Sequence, residues 1–388
     1  MDKITFVIPS RNNLEFLKLA YKSIRNLEIK HEILVLDDAS IDGTSEWIDG
    51  LADPDLITYV NEGPERIGIV GMFDKGIEMA RTDIIFAFHA DMVAAPNLDR
   101  YILQHLKKGT VVSATRVEPP LHPPGPEKII EDFGSEVENF DLEKFYNWCG
   151  MARFSSGQIT EGVFAPWCMY KEDFLAVGGH DELFAPQSRE DSDLFNRFSL
   201  AGYKFIQPWD ALVYHFTSRG SRYNKIAGGD TKIDSNEWKK TNFKNSRNFA
   251  RKWGTLVTHD SYLKPQVLPK YNIGFIVNNC GQRELTELEP WCSTIYSDAN
   301  IDEYIKMEQP NTLYNLSERV KSLDAEKNND ILVSFDGSKV TDQNFEIVMK
   351  LPHIISDSGN IGTAELDIFI INILSMNTYE RELLKCKK

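Results

Sequence analysis

The chain has 388 residues, 42% of them hydrophobic and 26% charged, enough to bury cores in about two or three domains. Its formal net charge of −15 excludes a general attraction to nucleic acid or anionic lipid. A phosphorylated ligand must then be met locally, by a metal ion, arginine or backbone N–H groups. Cys149, Cys168, Cys280, Cys292 and Cys386 form no C-x-x-C pair, and MDKITFVIPS at the N-terminus carries no signal-peptide pattern. Both features point to a reducing, cytoplasmic setting. No run reaches the ~18 apolar residues of a membrane helix; the longest, Ile368 to Leu374, reads as part of a packed helix.

In chain order, ITFVIP (4–9), EILVLD (32–37), LITYV (56–60) and DIIFAF (83–88) read as buried strands. Between them lie helical patterns: Leu14, Leu17, Ala20, Tyr21, Ile24 and Leu27; then Trp47, Ile48 and Leu51 behind a possible cap at Asp42; then Ile67, Val70, Phe73, Ile77 and Ala80. Such alternation predicts an α/β fold with a mostly parallel sheet flanked by helices, and ligands at the carboxyl ends of its strands. The proline-rich VEPPLHPPGP (117–126) reads as a break, and the acidic stretch after it, to about Trp148, as an insertion or lid over the sheet's top edge. A helix follows over 190–201, then short strands at YKFIQ (203–207) and ALVYH (211–215), then a polar, basic stretch from Ser218 to Lys252. From Asn272 the pattern restarts with GFIVNN, STIYSD, ILVSFD and HIISDS (353–358). A catalytic domain over 1–255 and a smaller α/β accessory domain over 270–388 are therefore expected.

Four constellations could carry chemistry. In LVLDDASIDGT (34–44), two strand-end acids could bind a ribose or base, or form a solvated turn. In FHADM (88–92), His89 and Asp91 point the same way from extended backbone, as metal ligands or with Asp91 as a helix cap. SREDSDLFNRF (188–198) opens a helix with acids that could simply favour its dipole or include a general base. In VYHFTSRGS (213–221), His215 could be structural or a third metal ligand, with Arg219 or Arg222 near phosphates.

In this order the elements resemble the family 2 glycosyltransferases of GT-A fold. The match runs from VIPSRNN (7–13) through LVLDDASIDGT, NEGPERIGIVGMFDKGIEMA (61–80), FHADM, VGGHDELF (177–184), REDSDLFNRFSLAGYKF (189–205) and VYHFTS to FARKWG (249–254), about two-thirds of the chain. The resemblance implies a nucleotide-sugar site at Pro9, Ser10, Arg11, Asp37, Asp38, Arg66, His89 and Ala90. It implies metal ligands Asp91 and His215, with His89 a third, and Asp191 as catalytic base beside Glu190. Gly178, Gly179, Asp181 and Glu182 match a stretch that shapes the acceptor side. Two positions depart from the pattern: His89 replaces the first Asp of D-x-D, and Arg11 stands where an aromatic often stacks on the base. The nitrogen donors favour Mn²⁺ over Mg²⁺.

The implied reaction moves a sugar from a nucleotide-sugar, a UDP-sugar first, to a hydroxyl of a glycan or other acceptor in one inverting displacement. A homo-oligomer is possible; nucleic acid and an integral membrane segment are not expected. Two alternatives stand beside this reading. A nucleotidyltransferase would place a glycine-rich loop where PSRNN lies. A binding protein with a decayed site would not need Asp91, Asp191 and His215 together.

Overall fold

The computed structural model describes residues 2–152, 157–220 and 222–384; Ser221 and Cys386 lie outside them. The chain forms two compact units. Of the described residues, the first comprises those up to Asn242 with His259–Pro265, the second Phe243–Thr258 with those from Gln266 to Leu384.

The first unit runs β1 (Ile4–Ser10), α1 (Leu14–Arg25), β2 (Glu32–Asp38), α2 (Thr44–Asp49), β3 (Leu56–Asn61), α3 (Gly68–Met79), β4 (Ile84–Ala87), β5 (Met92–Ala94), α4 (Leu98–His105), β6 (Thr110–Ser113), β7 (Thr115–Glu118) and β8 (Lys128–Ile130). It continues with α5 (Leu142–Ala152), β9 (Ile159–Thr160), β10 (Trp167–Tyr170), α6 (Lys171–Ala176), α7 (Glu190–Leu200), β11 (Lys204–Pro208) and β12 (Leu212–His215). The division between units falls within α8 (Asn236–Trp253).

Eight strands make the main sheet in the order β3-β2-β1-β4-β10-β6-β11-β9. Its β3-β2-β1-β4 half is parallel, and β10 runs antiparallel between β4 and β6. β1 is apolar on both faces because both are covered. Phe6 and Ile8 meet Leu17, Ala20 and Ile24 of α1, while Val7 meets Met72, Phe73 and Ile77 of α3. Each such side chain contributes roughly 1.5–3 kcal/mol on full burial. This is the mostly parallel, helix-flanked α/β sheet that the alternating pattern implies.

The stretch read as an insertion or lid contributes β8 to a second sheet, β5-β12-β7-β8. The proline-rich break is the connection between β7 and β8, which pair in parallel. Proline lacks a ladder N–H, so it breaks the strand but not the sheet.

The second unit contains β13 (Ile273–Asn278), α9 (Gln282–Leu288), β14 (Thr294–Ser297), α10 (Ile301–Glu308), α11 (Leu316–Arg319), β15 (Val320–Ser322), β16 (Ile331–Asp336), α12 (Asp342–Ser358), β17 (Gly362–Leu366) and β18 (Phe369–Ile373). Its sheet has the order β15-β14-β13-β16-β18-β17. Two sequence expectations fail here. HIISDS is the end of α12, where buried Val348, Leu351 and Ile355 recur at helical spacing behind a Thr341 cap. The Ile368–Leu374 run is strand β18, in which Phe369, Ile371 and Ile373 alternate into the core. Short apolar runs do not distinguish helix from strand by themselves.

Candidate active site

The second sheet brings two side chains together, and the end of the main sheet adds a third. Asp91 lies just before β5 and His215 closes β12; antiparallel register pairs His215 with Met92. His215 Nε2 thereby sits 3.7 Å from Asp91 Oδ2. His89 enters from the end of the main sheet, its ring centroid 6.4 Å from that of His215. One ligand atom from each of His89, Asp91 and His215 lies within 4.8 Å of the others. The trio borders a cavity of about 280 Å³.

The charges are matched to these positions. Burial would raise Asp91, but His215, His89 and the Arg219 backbone N–H, donating at 2.9 Å, hold it well below the carboxylate range. Burial would lower His215, yet Asp91 and Glu118 outweigh it and push the imidazole up to about 9. For His89 burial prevails, only partly opposed by Asp91 and Asp191, and its pKa falls. An imidazole with lowered proton affinity beside a fully ionised carboxylate suits a divalent cation.

Pro9, Ser10, Arg11, Asp38, Arg66 and Ala90 border the same cavity. Buried Ser10 Oγ, Asn13 Nδ2 and the Nε atoms of Arg11 and Arg66 lack protein partners. Such atoms are costly unless a ligand or water meets them. Arg11 and Arg66 both pair with Glu237 at the start of α8. Asp38 has a structural task as well. It accepts 2.8 Å bonds from the backbone N–H groups of Ile67 and Gly68 and a 2.9 Å bond from Asn61 Nδ2, fixing the entry to α3. Gly68 has φ +89° there, and a Cβ would lie 2.4 Å from Pro186. Asp37 does not border the cavity; it is buried, accepts from the Ser40 N–H at 3.3 Å, and burial raises its pKa.

On the facing side Glu190 borders the cavity; Asp191 does not, although its charge opposes the lowering of His89. Burial, then the Asp191 charge, raise Glu190 to about 8, and its Oε2 has no protein partner. Asp193 points elsewhere, to a buried 2.9 Å pair with Arg197 one turn on. Asp42 lies away from the cavity: its carboxylate accepts from the Leu14 N–H at 2.9 Å at the start of α1, and from the Thr44 N–H at 3.3 Å and hydroxyl at 2.6 Å at the start of α2. Neither Arg219 nor Arg222 borders the cavity. The Arg219 guanidinium binds Ser135 O and Glu136, and Arg222 binds Asp234. Asn13, Gln187, Ser188, Ser218 and Trp238 join the lining without having been singled out in the sequence. Local pattern carries no signal for them, because they meet only through chain crossings.

Residues 5–152 match the profile of glycosyl transferase family 2. Among curated proteins, an undecaprenyl-phosphate mannosyltransferase of Micrococcus luteus is 22% identical over 233 residues, 58% of this chain and 88% of that protein. Among solved structures, GalNAc-T7 with UDP, GalNAc and Mn²⁺ aligns with TM-score 0.43 and 14% identity, over 55% of this chain and 44% of that one. The mannosyltransferase PcManGT of Pyrobaculum calidifontis with GDP-Man and Mn²⁺ aligns with TM-score 0.40 and 21% identity, over 56% and 58%. This chain thus spans about half the length of those two solved proteins.

Proposed function

We propose, from the match of residues 5–152 to the family 2 glycosyltransferases, that the chain transfers a sugar from a nucleotide-sugar, a UDP-sugar in the first instance, to a hydroxyl acceptor with the help of a divalent cation. The observation that carries the proposal is the meeting of the His89, Asp91 and His215 trio, the arginine-walled pocket and Glu190 around one cavity. His89, Asp91 and His215 would hold the cation, and two nitrogens with one carboxylate favour Mn²⁺ over Mg²⁺. When bound, the cation neutralises the charge that develops on the departing diphosphate. Ser10, Arg11 and Arg66 bind the nucleotide part, with Glu237 yielding the two arginines to it. Asp38 keeps the Arg66–Gly68 turn in place for that contact. Asp191 takes the proton from the acceptor hydroxyl as it attacks the anomeric carbon, and Glu190, protonated near neutrality, donates a hydrogen bond. A pathway of direct displacement inverts the anomeric centre.

A polyprenyl phosphate as acceptor is a second reading, favoured by the Micrococcus luteus relative, whose name specifies undecaprenyl phosphate. The test is product mass after incubation with UDP-sugars and GDP-mannose, with Mn²⁺ or EDTA, and with hydroxyl or polyprenyl-phosphate acceptors. Metal-dependent transfer to a hydroxyl is expected. Transfer only to the phosphate would replace the acceptor assignment, and transfer undiminished in EDTA would remove the metal from the mechanism.

A further inference from the structure

The proline-rich break separates two strands whose facing ends hold a buried charge cluster that the reaction above does not use. Glu118 closes β7, which pairs in parallel with β12 so that Glu118 comes level with His215. The two are 97 residues apart in sequence, and His215 Nδ1 lies 2.7 Å from Glu118 Oε1. The other Glu118 oxygen accepts from Lys128 Nζ at 2.8 Å, and Arg116 Nε stands 3.2 Å from Oε1. Arg116 also pairs with Glu127 at 3.0 Å. Glu118 is 2% exposed and Lys128 8%.

We infer that Glu118 is a positioning residue that takes the Nδ1–H of His215 and so commits Nε2 to the cation shared with Asp91. This deepens the metal-assisted reading above and rests on it. An imidazole has two ring nitrogens, and the partner of one decides which is left to coordinate. Glu118 can accept only from Nδ1, since Nε2 lies on the opposite side of the ring facing Asp91. Its second oxygen is tied to Lys128, which keeps the carboxylate from turning toward the cavity and coordinating in place of the imidazole. The two cations Arg116 and Lys128 balance the two anions Glu118 and Glu127, so the cluster orients His215 without adding a net charge beside the incoming cation. A carboxylate placed here only to join strands would need no bond to the ring.

The experiment titrates Mn²⁺ into the full chain and reads the free-ion electron paramagnetic resonance signal. Glu118→Gln should weaken Mn²⁺ binding about 10–100-fold, the usual worth of such an orienting partner. Glu118→Asp, which keeps the carboxylate, should recover part of the loss. In a His215→Ala background the Gln substitution should cost nothing further, because the ring through which it acts is gone. With Zn²⁺ as a diamagnetic probe and ¹⁵N-histidine labelling, long-range ¹H–¹⁵N correlations should place the His215 proton on Nδ1 in the wild type and show that placement lost in Glu118→Gln. If Glu118→Gln does not fold, Lys128→Met, which frees the carboxylate, should give a smaller loss in the same titration. Wild-type affinity in the variants, or a full penalty retained in His215→Ala, would overturn the inference while leaving the metal site standing. A wild-type chain that binds no Mn²⁺ would overturn both.

Discussion

Glu190 and Asp191 are adjacent acids at one helix start, and isosteric amides at the two positions should have opposite consequences. Burial and the neighbouring Asp191 charge raise Glu190 to about 8. That holds Glu190 largely protonated at pH 7, and a protonated acid cannot accept the acceptor's proton. Asp191→Asn should therefore lower kcat by about 10²–10⁴-fold with donor affinity nearly unchanged. Glu190→Gln, which imitates the protonated acid, should cost little at pH 7. The sign of the pH effect follows. As pH rises through about 8, Glu190 ionises, its hydrogen bond to the acceptor is lost, and the wild-type rate should fall. In Glu190→Gln that limb should vanish. The assay is initial transfer rate at saturating donor and Mn²⁺ across roughly pH 6 to 9. If the wild-type rate instead climbs through about 8 and Glu190→Gln abolishes turnover while Asp191→Asn spares it, Glu190 is the base and the assignment is wrong.

The cation should compete with a proton. His215 is raised to about 9, so below that pH Mn²⁺ must displace a proton, and its affinity should climb about tenfold per pH unit before flattening above 9. Calorimetry at several pH values checks this, and a flat affinity between pH 7 and 9 would count against His215 as a ligand. Asp91→Ala should abolish Mn²⁺-dependent UDP binding and His215→Ala should weaken it less, by the same titration. In the second unit, Glu289 is fully buried and accepts from Arg251 at 2.7 Å, Arg319 at 2.6 Å and the Tyr304 hydroxyl at 2.9 Å. Glu289→Gln removes the carboxylate two buried arginines share, leaving Arg251 paired with Glu308, and should cost about 3–5 kcal/mol of stability, read by denaturant unfolding. A loss under 1 kcal/mol would show that the arginines find other partners.

Much of the fold was legible because strand and helix are local patterns. Apolar runs at 4–9, 32–37, 56–60 and 83–88 fall on β1 to β4, and the helical face around Phe73 falls on α3. The errors arose where the local pattern was ambiguous. Ile368–Leu374 is apolar enough for either state, and only its place beside β16 makes it a strand. The proline-rich stretch marked a break correctly, but proline says where a strand stops, not that β8 on its far side pairs with β7.

The site divides in the same way. Sequence alone determined the residue types and their strand-end positions: His89 and Asp91 past β4, His215 at the end of β12, Glu190 and Asp191 opening α7. These follow from short-range periodicity and a residue order shared with a family. Only the tertiary structure decided what each group faces. It turned Asp38 to the Gly68 turn, sent the Arg219 side chain to Glu136, left Asp37 off the cavity and set Glu118 against His215. The reason is that sheet register and chain crossings join residues from 30 to more than 90 positions apart, and no local periodicity encodes which strand ends will lie side by side.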